Sequence, residues 1–132
     1  MHITLETDYA IRIVDFLAKN KGRFDATTIS ENTNVPSNFA MKILRKLSSG
    51  KIVTSYKGTK GGYELTADLN ELSVYDVVET MEGIYRFSRC LDGEYNCTRC
   101  ENGLPCTYQH AFQRISDMVC EELKKLKFDK MK

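Results

Sequence analysis

Apolar residues recur every three or four positions through the first fifty residues of the chain, which predicts three consecutive helices. These helices span residues 5–20, 26–33 and 37–49, and the turn Asn34-Val35-Pro36 joins the second to the third. The third helix is apolar on one side, at Phe39, Ala40, Ile43, Leu44 and Leu47. Two helices joined by so short a turn indicate a helix-turn-helix, in which the second helix enters the major groove of DNA.

Polar residues with short side chains stand where the helices are expected to begin. Thr7 and Asp25 are predicted to cap the first and second helices, and Ser37 is predicted to cap the third. Further along, Ser73 and Asp76 form a capping box. It predicts a fourth, short helix with apolar positions at Val74, Val77, Val78 and Met81.

The pattern after the third helix is typical of a β-hairpin. Residues 52–56 and 63–66 are predicted strands, and the glycine-rich segment 57–62 is their turn. A basic hairpin that follows a recognition helix is a wing. Its glycines let the backbone approach a phosphate closely, and Lys57 and Lys60 supply positive charge.

A longer apolar stripe covers residues 107–128 and predicts a final helix of about six turns. The stripe is formed by Tyr108, Ala111, Phe112, Ile115, Val119, Leu123 and Leu126. A helix so apolar on one side needs a partner, which could be the first helix or the same helix of a second subunit. We favour a homodimer, because a two-fold symmetric protein matches a palindromic DNA site. The alternative is a helix packed wholly inside its own subunit.

The net charge of +1 conceals a separation of charge along the chain. Residues 32–63 carry six basic side chains and no acidic one, whereas residues 64–104 carry nine acidic side chains and three arginines. This separation favours one face for a polyanion, although two ordinary solvated faces would give the same pattern. The sequence contains no apolar run of about 18 residues and no signal-peptide layout, so we expect a cytoplasmic protein without membrane contact.

The predicted DNA contacts lie on the polar side of the third helix and on the wing. Arg45 and Lys42 are the leading candidates on the helix, and Met41 could touch a thymine methyl group. Ser37 and Asn38 stand near the helix start, where backbone amides also attract phosphate. From the wing, the predicted contacts to the DNA backbone or minor groove are Lys57, Thr59 and Lys60.

Four of the five cysteines, Cys90, Cys97, Cys100 and Cys106, stand within seventeen residues. Thiolates are soft ligands that suit iron-sulfur clusters and zinc, and clustered cysteines in a reducing compartment indicate a metal or redox site. Zinc sites commonly use two Cys-x2-Cys pairs, and the loop has one such pair. A thiol oxidoreductase would place that pair in a strand-helix-strand unit, which the flanking pattern does not predict. We therefore expect no enzymatic activity.

Five features along the chain are shared with one known family. They are Thr7-Asp8-Tyr9-Ala10, Lys42-x-Leu44-x-x-Leu47 before Gly50, Lys57-Gly58-x-x-Gly61-Gly62-Tyr63, Val78-x-x-Met81-Glu82-Gly83 and the cysteine loop. With them the chain resembles, from end to end, the winged-helix regulators that include the iron-sulfur cluster regulator IscR and the nitric-oxide-sensing repressor NsrR. The resemblance implies a dimeric transcription factor, usually a repressor, whose loop holds a 2Fe-2S cluster or, less often, a 4Fe-4S cluster.

Members of this family typically present three cysteines and one further ligand, which can be a histidine or an N-terminal aspartate. This chain departs from that pattern because Cys97 is an additional loop cysteine. Cys97 is our first choice for the fourth ligand, and Asp8 and His110 are the alternatives. His110 is displaced by one residue from the expected spacing, and Asp8 can equally be an ordinary residue of a first helical turn.

These predictions combine into a mainly α protein with a small β-hairpin wing. Residues 1–83 would form a winged helix-turn-helix DNA-binding domain, residues 84–106 a cluster-binding loop, and residues 107–132 a dimerisation helix and tail. The expected function is sequence-specific regulation of transcription, with DNA affinity switched by a cluster that senses redox state, nitric oxide or iron-sulfur status. The alternatives are a structural zinc or a thiol switch in the loop, or a winged-helix module that binds another protein.

Overall fold

Five α-helices and one β-hairpin form the described part of the chain, in a computed structural model that describes residues 3–93, 98 and 106–131. The helices are α1 (Leu5–Lys19), α2 (Ala26–Thr33), α3 (Ser37–Ser49), α4 (Val74–Glu82) and α5 (Thr107–Lys125). Strands β1 (Val53–Tyr56) and β2 (Gly62–Leu65) pair antiparallel, and a 3-10 turn at Arg89–Leu91 follows α4. The predicted mainly α architecture with a hairpin wing and a long last helix is confirmed.

Two helices begin differently from the predictions. The Thr4 hydroxyl oxygen accepts a hydrogen bond from the Thr7 backbone N–H at 3.2 Å, so Thr4 caps α1 and Thr7 is a buried residue of the first turn. The cap predicted at Thr7 is therefore wrong. The cap predicted at Ser37 is also wrong, because Pro36 occupies the cap position and Ser37 is the first residue of α3. Proline suits a helix boundary, since its φ is fixed and it has no N–H to satisfy.

The other two predicted starts are confirmed. The Asp25 carboxylate accepts a hydrogen bond from the Thr28 backbone N–H at 2.7 Å, and this bond lowers the pKa of the Asp25 carboxyl. Ser73 and Asp76 form the predicted capping box, in which the Ser73 backbone N–H donates to Asp76 at 2.9 Å. Helices α2 and α4 therefore begin at the residues that the local sequence predicts.

The core forms where α1 packs against α2, α3 and α4. The buried apolar side chains of these four helices are Ala10, Ile13, Val14, Leu17, Ile29, Ala40, Ile43, Leu44, Leu47, Val74, Val77, Val78 and Met81. Fully burying one isoleucine or leucine side chain contributes about 1.5–3 kcal/mol. The same packing turns the polar side of α3 to solvent, because its apolar side is held in the core.

The hairpin is attached to the loop between α1 and α2. Phe24 and Tyr63 exchange two backbone hydrogen bonds, at 3.0 and 2.8 Å. Gly62 precedes this bridge with a φ of +136°, and a β-carbon there would lie 2.7 Å from the Phe24 carbonyl oxygen, so glycine is required. The two strands begin and end within one residue of their predicted bounds. The wing is thus fixed at its base by long-range backbone pairing.

Helix α5 ends at Lys125 rather than near the predicted residue 128. The backbone that follows bonds to the start of α4 instead of continuing the helix. The Val74 N–H donates to the Leu126 carbonyl at 2.9 Å, and the Phe128 N–H donates to the Leu72 carbonyl at 3.2 Å. The Phe128 side chain is buried in the core. Neither α5 nor any other described helix is long and apolar enough to span a membrane.

Candidate nucleic-acid interface and cysteine loop

One side of α3 is exposed and largely polar. It holds the five helix residues predicted to contact DNA, which are Ser37, Asn38, Met41, Lys42 and Arg45. Met41 is 49% exposed although it is apolar, and an apolar side chain in this setting suits contact with a thymine methyl group. No acidic residue lies in the first turn of α3, so the positive end of its dipole favours a phosphate there.

The wing presents its predicted contacts at the tip of the hairpin. Lys57, Thr59 and Lys60 are exposed. The Gly61 N–H donates to the Gly58 carbonyl at 3.0 Å, which closes the turn, and Gly58 has a φ of +94°. Strand β1 packs against α3, so the hairpin with its basic tip is held beside that helix. The wing can therefore present two ammonium groups close to a DNA backbone.

Arg23 joins the base of the wing although no sequence pattern marks it. Its guanidinium carbon lies 3.5 Å from the centre of the Tyr56 ring, and its Nε is 3.6 Å from a Glu64 carboxylate oxygen. The neighbouring Phe24–Tyr63 bridge brings this loop beside the hairpin. Long-range strand pairing, rather than local spacing, therefore positions this cation, and sequence analysis missed it for that reason.

A carboxylate that sequence analysis also missed lies against the basic side of α3. Glu6 of α1 contacts the Lys42 ammonium through one oxygen at 2.7 Å and the Lys46 ammonium through the other at 3.2 Å. Hydrogen bonds from Lys42, and then from Lys46, hold the pKa of the Glu6 carboxyl below its ordinary value of 4.5. Glu6 is thus ionised at neutral pH. Lys42, a predicted DNA contact, is therefore paired with a carboxylate of its own chain.

The two outer cysteines of the loop lie close to one helix end. Cys90 and Cys106 are half-buried, whereas Cys97 and Cys100 lie outside the described residues. Cys90 belongs to the 3-10 turn, and Cys106 is the cap residue of α5. The Gln109 side-chain amide donates to the Cys90 carbonyl at 3.1 Å. Because Gln109 is in the first turn of α5, this bond holds Cys90 near the helix end at which Cys106 stands.

A hydrogen bond to a buried serine anchors the chain ahead of Cys90 on α5. The Phe87 backbone N–H donates to the Ser116 hydroxyl at 2.6 Å, and Ser116 is only 2% exposed. The Phe87 ring also packs against Phe112, with ring centres 5.3 Å apart. A hydrogen bond to buried Ser116 and an aromatic contact with Phe112 therefore hold the entrance of the cysteine loop.

The alternative fourth ligands occupy different elements. Asp8 lies on α1, where its carboxylate is 3.0 Å from Arg12. His110 is exposed on α5, and its backbone N–H donates to the Cys106 carbonyl at 3.2 Å. Across residues 3–93, 98 and 106–131, no group of three possible metal ligands comes together. Since Cys97 is outside those ranges, the choice of fourth ligand stays a prediction.

The donor chemistry of the loop fits an iron-sulfur cluster. Cys90 and Cys106 offer soft thiol donors at two ends of the loop that Gln109 holds together. Cys106 also stands at the N-terminus of a 19-residue helix, whose dipole favours negative charge. The fifth cysteine, Cys120, lies within α5, and burial raises the pKa of its thiol. Because Cys120 lies far along α5 from Cys106, it does not belong to the cysteine loop.

Comparison with known families gives a match over almost the whole chain. The family model of Rrf2, described as an iron-dependent transcriptional regulator, matches residues 3–132. The chain belongs to the Rrf2 family. The match includes the helix-turn-helix, the wing, the cysteine loop and α5. This Rrf2 protein is therefore a transcriptional regulator, and the prediction that it is not an enzyme is confirmed.

Two relatives show how far the similarity extends. An HTH-type transcriptional regulator of Aquifex aeolicus (strain VF5) is 25% identical over 112 residues, which make up 84% of this chain and 77% of the relative. The HTH-type transcriptional regulator NsrR of Bacillus subtilis (strain 168) is 29% identical over 98 residues, or 73% of this chain and 67% of NsrR. Both relatives are named as helix-turn-helix transcriptional regulators.

Solved structures share the fold of this Rrf2 protein. IscR of T. potens superposes with a TM-score of 0.74 at 16% identity, over 98% of this chain and 84% of IscR. CymR, the global cysteine regulator of B. subtilis, superposes with a TM-score of 0.72 at 21% identity, over 98% of this chain and 94% of CymR. At these identities the likeness establishes the winged-helix fold alone.

We expect Ser116→Ala to loosen the entrance of the cysteine loop. The substitution leaves the Phe87 N–H without its buried acceptor, which costs about 1–3 kcal/mol. The free energy of unfolding, measured by urea denaturation, should fall by that amount. Amide hydrogen exchange at Phe87 should become faster, because the N–H loses its protecting bond.

Ser49→Ala is the matched control, because Ser49 is an exposed serine in the last turn of α3. It should change the free energy of unfolding by less than about 0.5 kcal/mol. Small and equal losses for the two variants, with unchanged exchange at Phe87, would contradict an anchoring role for Ser116.

Proposed function

We propose that this Rrf2 protein is a homodimeric repressor that binds a palindromic operator in double-stranded DNA with an affinity set by an iron-sulfur cluster in the cysteine loop. The observation that carries the proposal is a continuous series of packed helices. Helix α4 packs against both α3 and α5, and the 3-10 turn with Cys90 packs against α5. A change in the loop therefore has a physical route to the reading helix.

The proposed DNA face has two parts, one that contacts base edges and one that contacts the phosphate backbone. Arg45 and Asn38 can reach base edges in the major groove, and Met41 can contact a thymine methyl group. The wing would contact phosphates and the adjacent minor groove, which position the protein without reading sequence. The complete proposed set is Ser37, Asn38, Met41, Lys42, Arg45, Lys57, Thr59 and Lys60.

The exposed apolar side chains of α5 support a second copy of the chain as its partner. Tyr108 is 58% exposed and Met118 is 62% exposed, and Ile115 and Val119 on the same helix are half-buried. Burying such side chains against another apolar surface is favourable. A two-fold dimer through α5 would cover them and present two reading helices to the two half-sites of a palindrome.

The proposed cluster ligands are Cys90, Cys97, Cys100 and Cys106, with Asp8 or His110 as the alternative to Cys97. A bound cluster, 2Fe-2S in preference to 4Fe-4S, would supply iron-thiolate bonds that cross-link the loop. Residues 84–106 would then be the sensing segment between the DNA-binding residues 1–83 and the dimerisation helix and tail, residues 107–132.

The chain's own contacts explain how the loop could affect DNA binding. The Thr4 N–H at the start of α1 donates to a Glu82 carboxylate oxygen at 3.3 Å, and Glu82 is the last residue of α4. Helix α1 in turn packs against α3. A displacement of the loop entrance would move the end of α4, then the start of α1, and with it the reading helix.

Substitutions on the two parts of the DNA face should have different effects. Lys60→Ala should weaken binding to every sequence and reduce the slope of log K against log salt by about 0.9, because one phosphate contact is lost. Arg45→Ala and Asn38→Ala should instead change sequence preference and cost about 1–3 kcal/mol on the preferred operator. Fluorescence anisotropy with an operator selected from genomic fragments and with a random duplex measures both effects.

Lys130→Ala controls for the loss of one positive charge, because Lys130 is an exposed lysine of the tail. It should leave the salt slope almost unchanged. If Lys60→Ala, Arg45→Ala and Asn38→Ala all lost equal affinity for operator and random duplex, this division of roles would be wrong.

Anaerobically purified protein should contain iron and acid-labile sulfide in equal amounts and should absorb visible light. Cys106→Ala should lose the chromophore, because a loop ligand is removed, whereas Cys120→Ser should keep it. Loss of the chromophore in Cys97→Ala would support Cys97 as fourth ligand, and its survival would favour Asp8 or His110. Iron, sulfide and zinc analysis with absorbance spectra measures this outcome. Zinc without sulfide would contradict the cluster.

A further inference from the structure

The reading helix α3 is touched by an acidic side chain from another helix. Glu6 lies in the first turn of α1, and each of its two carboxylate oxygens contacts one lysine of α3. Lys42 and Lys46 are four residues apart, so they stand on the same side of the helix and one carboxylate can reach both. The contacts are 2.7 Å to Lys42 and 3.2 Å to Lys46.

The position of Glu6 is fixed by its surroundings. Its neighbour Thr7 is fully buried, and the hydroxyl of Thr4 caps the helix at that turn. The side chain of Glu6 is only 23% exposed, whereas that of Lys42 is 61% exposed. The carboxylate is thus held against α3, while most of the Lys42 side chain is accessible to a ligand from solvent.

A DNA phosphate and the Glu6 carboxylate can bind the same Lys42 ammonium group. Both are anions that bind an ammonium group at hydrogen-bonding distance. A phosphate that takes Lys42 from Glu6 gains one ion pair and loses another, and the uncovered carboxylate then repels the phosphate. The lysine therefore adds less to DNA affinity than an unpaired lysine would, and this reduction applies to any DNA sequence.

We propose that Glu6 is an affinity-setting residue of the DNA interface, whose carboxylate competes with DNA phosphates for Lys42 and Lys46. This inference rests on the proposed DNA-binding face and adds a residue to it. The wing lysine Lys60 provides the contrast, because it has no carboxylate within ion-pairing distance among the residues that the structure describes. Lys60 contributes its full charge to DNA binding, and Lys42 does not.

Glu6→Gln tests this directly, because the amide keeps the shape of the side chain and removes its charge. The affinity for a random duplex at about 50 mM salt should rise roughly threefold or more, since one or two ammonium groups are released for phosphates. The slope of log K against log salt should steepen by about 0.9 for each released lysine. The operator should show the same steepening, because the competition does not depend on sequence.

Asp15→Asn is the matched control. Asp15 lies on the same helix as Glu6, about 13 Å further along the helix axis, and is paired with Lys19 at 2.8 Å. The substitution therefore removes the same charge at a distance from α3's lysines Lys42 and Lys46. It should leave the salt slope nearly unchanged. If Glu6→Gln and Asp15→Asn had equal effects, net charge alone would be responsible and the proposal would be overturned. Weaker binding by Glu6→Gln would also overturn it, because Glu6 would then position Lys42 for DNA.

A second comparison keeps the test valid if Glu6→Gln fails to fold. In the otherwise unchanged protein, Lys42→Met should reduce the salt slope much less than Lys60→Met, for which a loss of about 0.9 is expected. Equal losses for the two lysine variants would overturn the proposal. If the unchanged protein bound neither duplex in any cluster state, both this inference and the proposed DNA-binding function would fail. Binding without a Glu6 effect would overturn this inference alone.

Discussion

The packing of α1 between α3 and α4 is the constraint on which the rest of the structure depends. Ile13, Val14, Ile43, Leu44 and Val77 are buried almost completely, so α3 cannot turn about its axis without exposing apolar surface. Its polar side is held outward for that reason. The same packing fixes the start of α1 beside the end of α4, where the cysteine loop begins. The proposed DNA face and the entrance of the cysteine loop therefore rest on the same packed helices.

Ion pairs then modify how much unpaired positive charge α3 and the wing present to solvent. The basic segment identified in the sequence carries lysines on both α3 and the wing, but their surroundings differ. Glu6 partly neutralises two lysines of α3, whereas the wing lysines extend into solvent and Arg23 is stacked on Tyr56. Positive charge that looks uniform along this basic segment is therefore distributed unevenly in three dimensions. The sequence-independent part of DNA affinity should come mainly from the wing.

Features that depend on one element were predictable from the sequence, and features that join distant residues were not. Helical spacing and glycine turns predicted the five helices and the wing, because those periodicities are local. The caps of α1 and α3 were misplaced because several nearby residues could cap a helix, and tertiary packing buries Thr7. The end of α5 depends on hydrogen bonds to Leu72 and Val74, and Glu6 meets α3 across about forty residues of sequence. The four clustered cysteines could be identified in the sequence, but their arrangement in space depends on how the loop folds.

The measurement that tests the central claim most directly is the Kd of cluster-loaded and cluster-free protein for the same operator at one salt concentration. A random duplex and the Cys106→Ala variant serve as controls. Coupling between the loop and α3 predicts that the two forms differ by roughly 5–150-fold on the operator, that they differ little on the random duplex, and that Cys106→Ala behaves as the cluster-free form. Equal affinities of the two forms for the operator would contradict the account, because a ligand that does not distinguish two states cannot shift them.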